Sequence, residues 1–216
     1  MMKDWTFKNN WIAENFDNHV REQLPWYDLA TSAVVSITRN YLSRNGIIYD
    51  IGASTGNIGR ATKFLIEQRG AKLIAIEESN EMAQKYDGGG LLQISDAVDF
   101  EYKEFSVAIC FLSLMFISKK RRSELLQKLK ASTEYGGCII VVEKFESVQG
   151  YASTVFRRMT SEWKLKSGAS PSDILDKELS LSGVQRPLDQ SEVDGGIEFF
   201  RIGEFAGYII EKTKPK

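Results

Sequence analysis

The stretch Ile47-Ile48-Tyr49-Asp50-Ile51-Gly52-Ala53-Ser54-Thr55-Gly56-Asn57-Ile58-Gly59 decides the fold. β-Branched and aromatic residues up to Ile51 favour a strand. The glycine-rich turn after it opens a helix over residues 57–66, in which Ile58, Ala61 and Leu65 share one face, and Gly70 supplies the stop. Strand, turn and helix in that order place a ligand crevice at the carboxyl end of the strand. Glycines 52, 56 and 59 let the backbone approach a ligand closely. Their spacing, G-x-x-x-G-x-x-G, differs from the dinucleotide fingerprint G-x-G-x-x-G and argues against NAD.

The same pattern recurs outward from this segment. Leu73-Ile74-Ala75-Ile76-Glu77 leads into a helix near residues 80–86, and Leu91-Leu92-Gln93-Ile94 makes a third strand ending at Ser95-Asp96. Val107-Ala108-Ile109-Cys110-Phe111 precedes a basic helix with Leu125, Leu126 and Leu129 as its buried stripe. A fifth strand, Cys138 to Glu143, follows the breaker Gly136-Gly137. Strands alternating with helices in this way make a doubly wound, mostly parallel α/β sheet. Ahead of it, Leu29, Ala33, Ile37 and Tyr41 share one face of a helix over about residues 26–44. Beyond it come a helix from Tyr151 to Leu165, a Ser/Gly/Asp-rich stretch at 168–187, and two runs, Glu198 to Gly203 and Phe205 to Ile210. Their tight connection predicts an antiparallel hairpin, giving seven strands in all. The expectation is one domain over 1–216: a helical cap at 1–45, a ligand-binding core at 46–145, a substrate-side segment at 146–190 and the hairpin at 191–216, with Lys212 to Lys216 as a frayed tail.

Composition narrows the function classes. The 216 residues carry 28 Lys and Arg against 29 Asp and Glu, a net charge of −1, so bulk charge recruits neither nucleic acid nor an anionic membrane. No apolar run approaches the roughly 18 residues of a membrane span, and Met1-Met2-Lys3-Asp4-Trp5 lacks the apolar core of a signal peptide. The cytoplasm is the expected compartment. Cys110 and Cys138 sit in apolar runs and read as small buried hydrophobes. One histidine, His19, cannot build a multi-histidine zinc site, so no metal is expected.

Three acids fall at three successive strand tips: Asp50, Glu77 and Asp96. A carboxylate ending the second strand can accept both hydroxyls of a ribose, and one ending the third can take the amino group of an adenine across the same edge. That order suits an uncharged nucleoside better than a phosphate.

With these residues in place, the chain resembles the class I S-adenosylmethionine-dependent methyltransferases, whose Rossmann-like fold carries a glycine-rich first motif matching Tyr49 to Gly56, with Ser54 where the commoner pattern has glycine. Among them it is most similar to the carboxy-S-adenosylmethionine synthases, which make the carboxymethyl donor used at the tRNA wobble uridine. The likeness runs through Asp4-Trp5-Thr6-Phe7, Phe16-Asp17-Asn18-His19-Val20, Pro25-Trp26-Tyr27, Ile74 to Glu78 and Val142-Glu143-Lys144-Phe145. The resemblance implies S-adenosyl-L-methionine as cofactor, with contacts on Tyr27, Gly52, Ala53, Ser54, Glu77, Glu78, Asp96, Ala97 and Phe111. Asp50 and Gly56 join them from the motif itself. It also implies a homodimer.

Two positions depart from the family. Phe111 stands where the family has asparagine. Glu178, in Lys177-Glu178-Leu179-Ser180-Leu181, matches the arginine that grips the extra carboxylate, and a glutamate there repels such a ligand, with Arg186 a few residues away as a substitute.

The remaining candidates each carry two readings. His19 is the available imidazole base or a structural histidine near a helix start. Tyr27 orients the cofactor or packs the cap with Trp5, Phe7, Trp11, Phe16 and Trp26. The run Lys119-Lys120-Arg121-Arg122 contacts tRNA phosphates or is a solvated helix start. Arg157-Arg158 and Lys164-Lys166 add a second basic face. The functional expectation is a methyltransferase of undetermined acceptor, since an activated cofactor needs chiefly aim and exclusion of water. The alternatives are a carboxy-S-adenosylmethionine synthase using prephenate and a cofactor-binding protein without turnover.

Overall fold

The computed structural model describes residues 6–7, 10–146 and 150–214, the side chains of 10–12 excepted. The decisive segment folds as read: β1 (Ile47–Ile51) runs into α3 (Asn57–Arg69), which Gly70 ends in the left-handed conformation. Ahead of them lie α1 (Asn10–Gln23) and α2 (Tyr27–Tyr41). The core continues with β2 (Lys72–Glu77), α4 (Asn80–Ala83), β3 (Leu91–Ile94), β4 (Phe105–Phe111), a 3-10 turn at Leu114–Phe116, α5 (Lys119–Ser132) and β5 (Thr133–Lys144). Then come α6 (Tyr151–Lys166), α7 (Pro171–Ser180), a 3-10 turn at Gln190–Val193, β6 (Ile197–Ile202) and β7 (Phe205–Glu211).

The seven strands form one sheet in the order β3-β2-β1-β4-β5-β7-β6, with β1 to β5 parallel and β7 antiparallel to both of its neighbours. Chain order reverses between β1 and β4, and that switch point opens a crevice at their carboxyl ends. Strand alternation divides the core in two. Tyr49, Ile51, Ala108, Cys110, Ile139 and Val141 pack toward Leu125, Leu126 and Leu129 of α5. Ile48, Val107, Ile109, Cys138, Ile140 and Val142 pack toward Ala30 and Val34 of α2 and Ile58 and Leu65 of α3. Both cysteines are free and fully buried, as expected of small hydrophobes.

Several boundaries and faces differ from expectation. The buried face of α2 is Tyr27, Ala30, Thr31, Val34 and Thr38, while Leu29 is 65% exposed. Thr31 packs inward because its hydroxyl donates to the Tyr27 carbonyl 2.9 Å away, so a polar residue needs no water there. The fifth strand begins at Thr133, with a register shift between Phe105 and Val107, and its glycines lie inside the strand: Gly136 N–H donates to Lys212 O. Lys212 thereby extends the hairpin edge instead of starting a frayed tail; its Nζ also bonds Ala131 O. The stretch read as Ser/Gly/Asp-rich contains α7, started by a capping box between Ser170 and Asp173 with Pro171 at its first position.

Candidate functional site

A cavity of about 310 Å³ opens at the carboxyl ends of β1, β2 and β4, near the low end of the range for small-molecule sites. It gathers Tyr27, Asp50, Gly52, Ala53, Ser54, Glu77, Glu78, Asp96, Ala97 and Phe111, which is every cofactor-site residue read from the sequence except Gly56. Gly56 does not line it. Its φ of +98° suits glycine, and a side chain there would meet the Gly88 Cα at 2.7 Å, so its lack of a Cβ serves loop packing rather than ligand approach.

Gly52 does face the cavity. Its φ is +71°, and a Cβ would lie 2.6 Å from that of Ser113 on the opposite lip. Ser54 adopts φ +52°, a conformation that favours glycine, and its N–H donates to Glu77 Oε2 at 2.8 Å. Glu77 also accepts from Ser79 N at 2.8 Å and from the Glu78 backbone N–H, so it anchors the turns after β1 and β2. Burial raises its pKa against these donors.

Three polar atoms here are buried with no hydrogen-bond partner among the described residues: Asp50 Oδ2, Ser54 Oγ and Ser113 Oγ. Buried polar atoms without partners are costly, and all three belong to cavity-lining residues. Burial, with the charge of Glu77 added, pushes the Asp50 carboxyl up to about 7. A cationic or hydrogen-bonding ligand relieves that cost. The residues present therefore fit the amino-acid and nucleoside groups of S-adenosylmethionine.

Tyr27 is buried, meets Phe111 edge-on at 5.2 Å between centroids, and holds the Arg21 guanidinium over its ring; burial raises its pKa. The family departure at Phe111 thus becomes aromatic wall. Asp96 is engaged at both oxygens, by Val98 N at 2.8 Å and Arg121 Nη1 at 2.6 Å.

A second cavity of about 290 Å³ adjoins the first, sharing Phe7, Phe16, Val20, Leu112 and Phe116. Lys144, Arg157, Lys164 and Lys177 line it, against Glu178 and Glu204. His19 belongs to this second cavity and to the later half of α1, not to a helix start; its Nε2 lies 2.9 Å from Lys177 Nζ. Burial, then the Lys177 charge, lowers the His19 pKa, and burial brings Lys177 down to about 8. Glu178 is paired with Lys164 at 2.9 Å, which together with nearby Lys144 and Lys177 lowers its pKa despite burial. Arg186 lines neither cavity.

The basic run at 119–122 is the start of α5 and is solvated only in part: Lys119 and Lys120 are exposed and Arg121 half-exposed. Arg122 is fully buried, bonded to Glu192 and to the carbonyls of Leu114, Arg186 and Pro187. Lys119 pairs with Asp189, and Arg121 with Asp96 and Asp99. Three of its four cations are engaged by acids of this chain. Phe7 and Phe16 belong to the shared wall, Trp26 lines neither cavity and packs on Phe200 and on Phe205, which borders the second, and Trp5 and the Trp11 side chain lie outside the described residues.

Sequence reasoning missed Ser113, Arg121 and Lys144 as lining residues. Their signal was positional: Ser113 follows the β4 tip, and Lys144 ends β5 beside Glu143, whose carboxylate accepts from Ser113, Leu114 and Met115 N–H and shapes that lip. Burial pushes Glu143 up to about 8 despite those donors.

Fold and crevice together define the class: the architecture is that of the Rossmann-like, class I S-adenosylmethionine-dependent methyltransferases. A methyltransferase-fold protein of Methanococcus maripaludis superposes with a TM-score of 0.60 at 15% identity, covering 100% of this chain and 99% of that one. The plantazolicin methyltransferase, solved with a substrate analogue and S-adenosylhomocysteine, gives 0.60 at 15% identity over 94% and 89%. In sequence the chain is similar to the carboxy-S-adenosyl-L-methionine synthase of Staphylococcus epidermidis, 29% identical over 96% of this chain and 97% of that protein. The synthase of Vibrio parahaemolyticus is 28% identical over 96% and 86%. No protein-family model matches. The resemblance expected from the motifs is borne out.

Proposed function

We propose that this protein is an S-adenosylmethionine-dependent transferase that binds S-adenosyl-L-methionine in the first cavity and seats an acceptor in the second. The observation that carries the reading is the set of unpartnered buried atoms, Asp50 Oδ2, Ser54 Oγ and Ser113 Oγ, on residues lining a cavity also edged by Glu77 and Asp96. When bound, the cofactor supplies an activated sulfonium-borne carbon. Glu77 holds the ribose, Asp96 the base, and Asp50 with the Gly52 to Ser54 turn the amino-acid end. Tyr27 and Phe111 close the wall, and Phe7 and Phe16 keep water from the passage between the cavities. His19 and Lys177 stand on the acceptor side as proton-handling groups. The division into cap, core, substrate-side segment and hairpin goes with this reading, as does a cytoplasmic homodimer, which a monomer mass by light scattering would refute.

A second reading, carboxy-S-adenosylmethionine synthesis for wobble-uridine modification, is favoured by the sequence relatives and by the charge around Glu178. Its pairing with Lys164 offsets the repulsion expected of a glutamate, and with Lys144 paired to Glu204 at 3.8 Å the described lining still carries two more cations than acids. Mass spectrometry of the small molecule released on denaturing the purified protein tests both. Recovery of S-adenosylmethionine or S-adenosylhomocysteine alone supports methyl transfer, and a species heavier by one carboxyl group supports the second reading. Tight cofactor binding with no S-adenosylhomocysteine formed from any extract would leave a binding protein. An empty, non-binding protein would overturn all of these.

A further inference from the structure

Arg121 belongs to a cluster of cations in the first turn of α5, where positive charge runs against the helix dipole. Its side chain is also a wall of the first cavity. Nη1 donates to Asp96 Oδ2 at 2.6 Å and Nη2 to Asp99 Oδ1 at 2.7 Å, so one planar fork joins α5 to the loop after β3. From the other side, the Val98 N–H donates to Asp96 Oδ1 at 2.8 Å. Asp96 is thus held at both oxygens, with one lone-pair direction left on each for a ligand.

We propose that Arg121 is a positioning residue for base selection: by fixing Asp96 it presents a rigid pair of acceptors that favours a purine bearing an exocyclic amine over one bearing a carbonyl. The proposal rests on the reading that the first cavity takes the adenosyl group. A carboxylate accepts from an amino group and repels a carbonyl oxygen, and that discrimination is sharp only if the carboxylate cannot swing aside. Without Arg121 the side chain can rotate or admit water, and an oxo-purine is tolerated. Stability offers a weaker explanation, because Arg121 is 40% and Asp99 73% exposed, and ion pairs so exposed add little to folding.

The test is calorimetric titration of S-adenosylhomocysteine and its deaminated analogue, S-inosylhomocysteine, into wild type, Arg121→Gln and Arg121→Lys. The wild type is expected to prefer the adenosyl compound. Arg121→Gln should shrink that preference by about tenfold, chiefly by weakening the adenosyl compound, while its Tm moves by no more than about 2 °C. Arg121→Lys, which keeps one charged contact but not the fork, should fall between them. A preference ratio in Arg121→Gln within twofold of wild type overturns the proposal, as does a wild type that binds both compounds equally. A wild type that binds neither overturns the cofactor reading itself, and this inference with it.

Discussion

Asp50 is a carboxyl that folding places at 2% exposure, beside another acid and with one oxygen unpartnered. Its pKa of about 7 means that a cationic ligand must bind against a proton over the mildly acid range. The ionised form attracts the ligand, so affinity for S-adenosylmethionine is expected to rise as pH climbs from 5.5 to about 7 and to level off above it, with one proton released on binding at the acid end. Asp50→Asn should bind more weakly at pH 7.5 and show a flat profile. A wild-type affinity independent of pH by calorimetry in two buffers would remove Asp50 from this role. At this scale the strand-tip acids were legible, because a tip's identity follows once the apolar run before it is recognised. Gly56 was not. A glycine opening a helix reads the same whether it admits a ligand or another strand of backbone, and only the approach of Gly88, distant in sequence, separates the two.

Among the elements, α3 shows how backbone proximity is set by composition. Gly59 and Gly56 bring its first turn against Gly88, and a Cβ at Gly59 would stand 2.8 Å from the Gly88 carbonyl carbon, atoms that belong to backbone and cannot rotate away. Gly59→Ala gains helix propensity worth about 1 kcal/mol but must push the loop at Gly88 outward, so a net loss of roughly 1–3 kcal/mol is expected. Urea denaturation checks it, and an unchanged or raised midpoint would show that the loop yields freely. The core strands and α3 and α5 were readable because their apolar periodicities are strong. The face of α2 was not, since its packed side uses Ala30, Thr31 and Thr38 where apolar counting favoured Leu29 and Ile37. Nor was α7, which has no buried residue to create a periodic signal; only its Ser170-Pro171-Ser172-Asp173 start carried the information. The second cavity escaped for the same reason, because it is bounded by α1, α6 and α7, whose meeting no local pattern states.

For the molecule as a whole, the crevice and the lip beside it bury acids that the fold prefers protonated. Asp50 rises from 3.8 to about 7 and Glu143 from 4.5 to about 8, so between those limits the native state holds more protons than the unfolded chain and loses stability as pH increases. His19 acts in the other sense, its lowered pKa costing stability as pH falls below 6.5, and so does Lys177, whose pKa falls from 10.5 to about 8 and whose effect therefore changes mainly above pH 8; within pH 5–8 the two fully buried carboxyls outweigh them. Glu178 and Glu198, whose pKa values are lowered, lend stability above about 4.5 and lose it below. The protein without cofactor is therefore expected to be most stable in mildly acid solution and to melt several degrees lower by pH 8, since each shift of this size corresponds to a few kcal/mol. The part owed to Asp50 is the part a bound cation can restore: S-adenosylmethionine, by favouring the ionised carboxylate, should raise Tm more at pH 7.5 than at pH 5.5 at equal saturating concentration. The Glu143 part should persist, because that carboxylate is enclosed by the N–H groups of Ser113, Leu114 and Met115 and lies outside the residues lining the cavity. Thermal melts across pH 5–8 with and without the cofactor separate the two. A Tm that rises steadily to pH 8 without cofactor would mean that neither acid carries the burden the fold assigns to it.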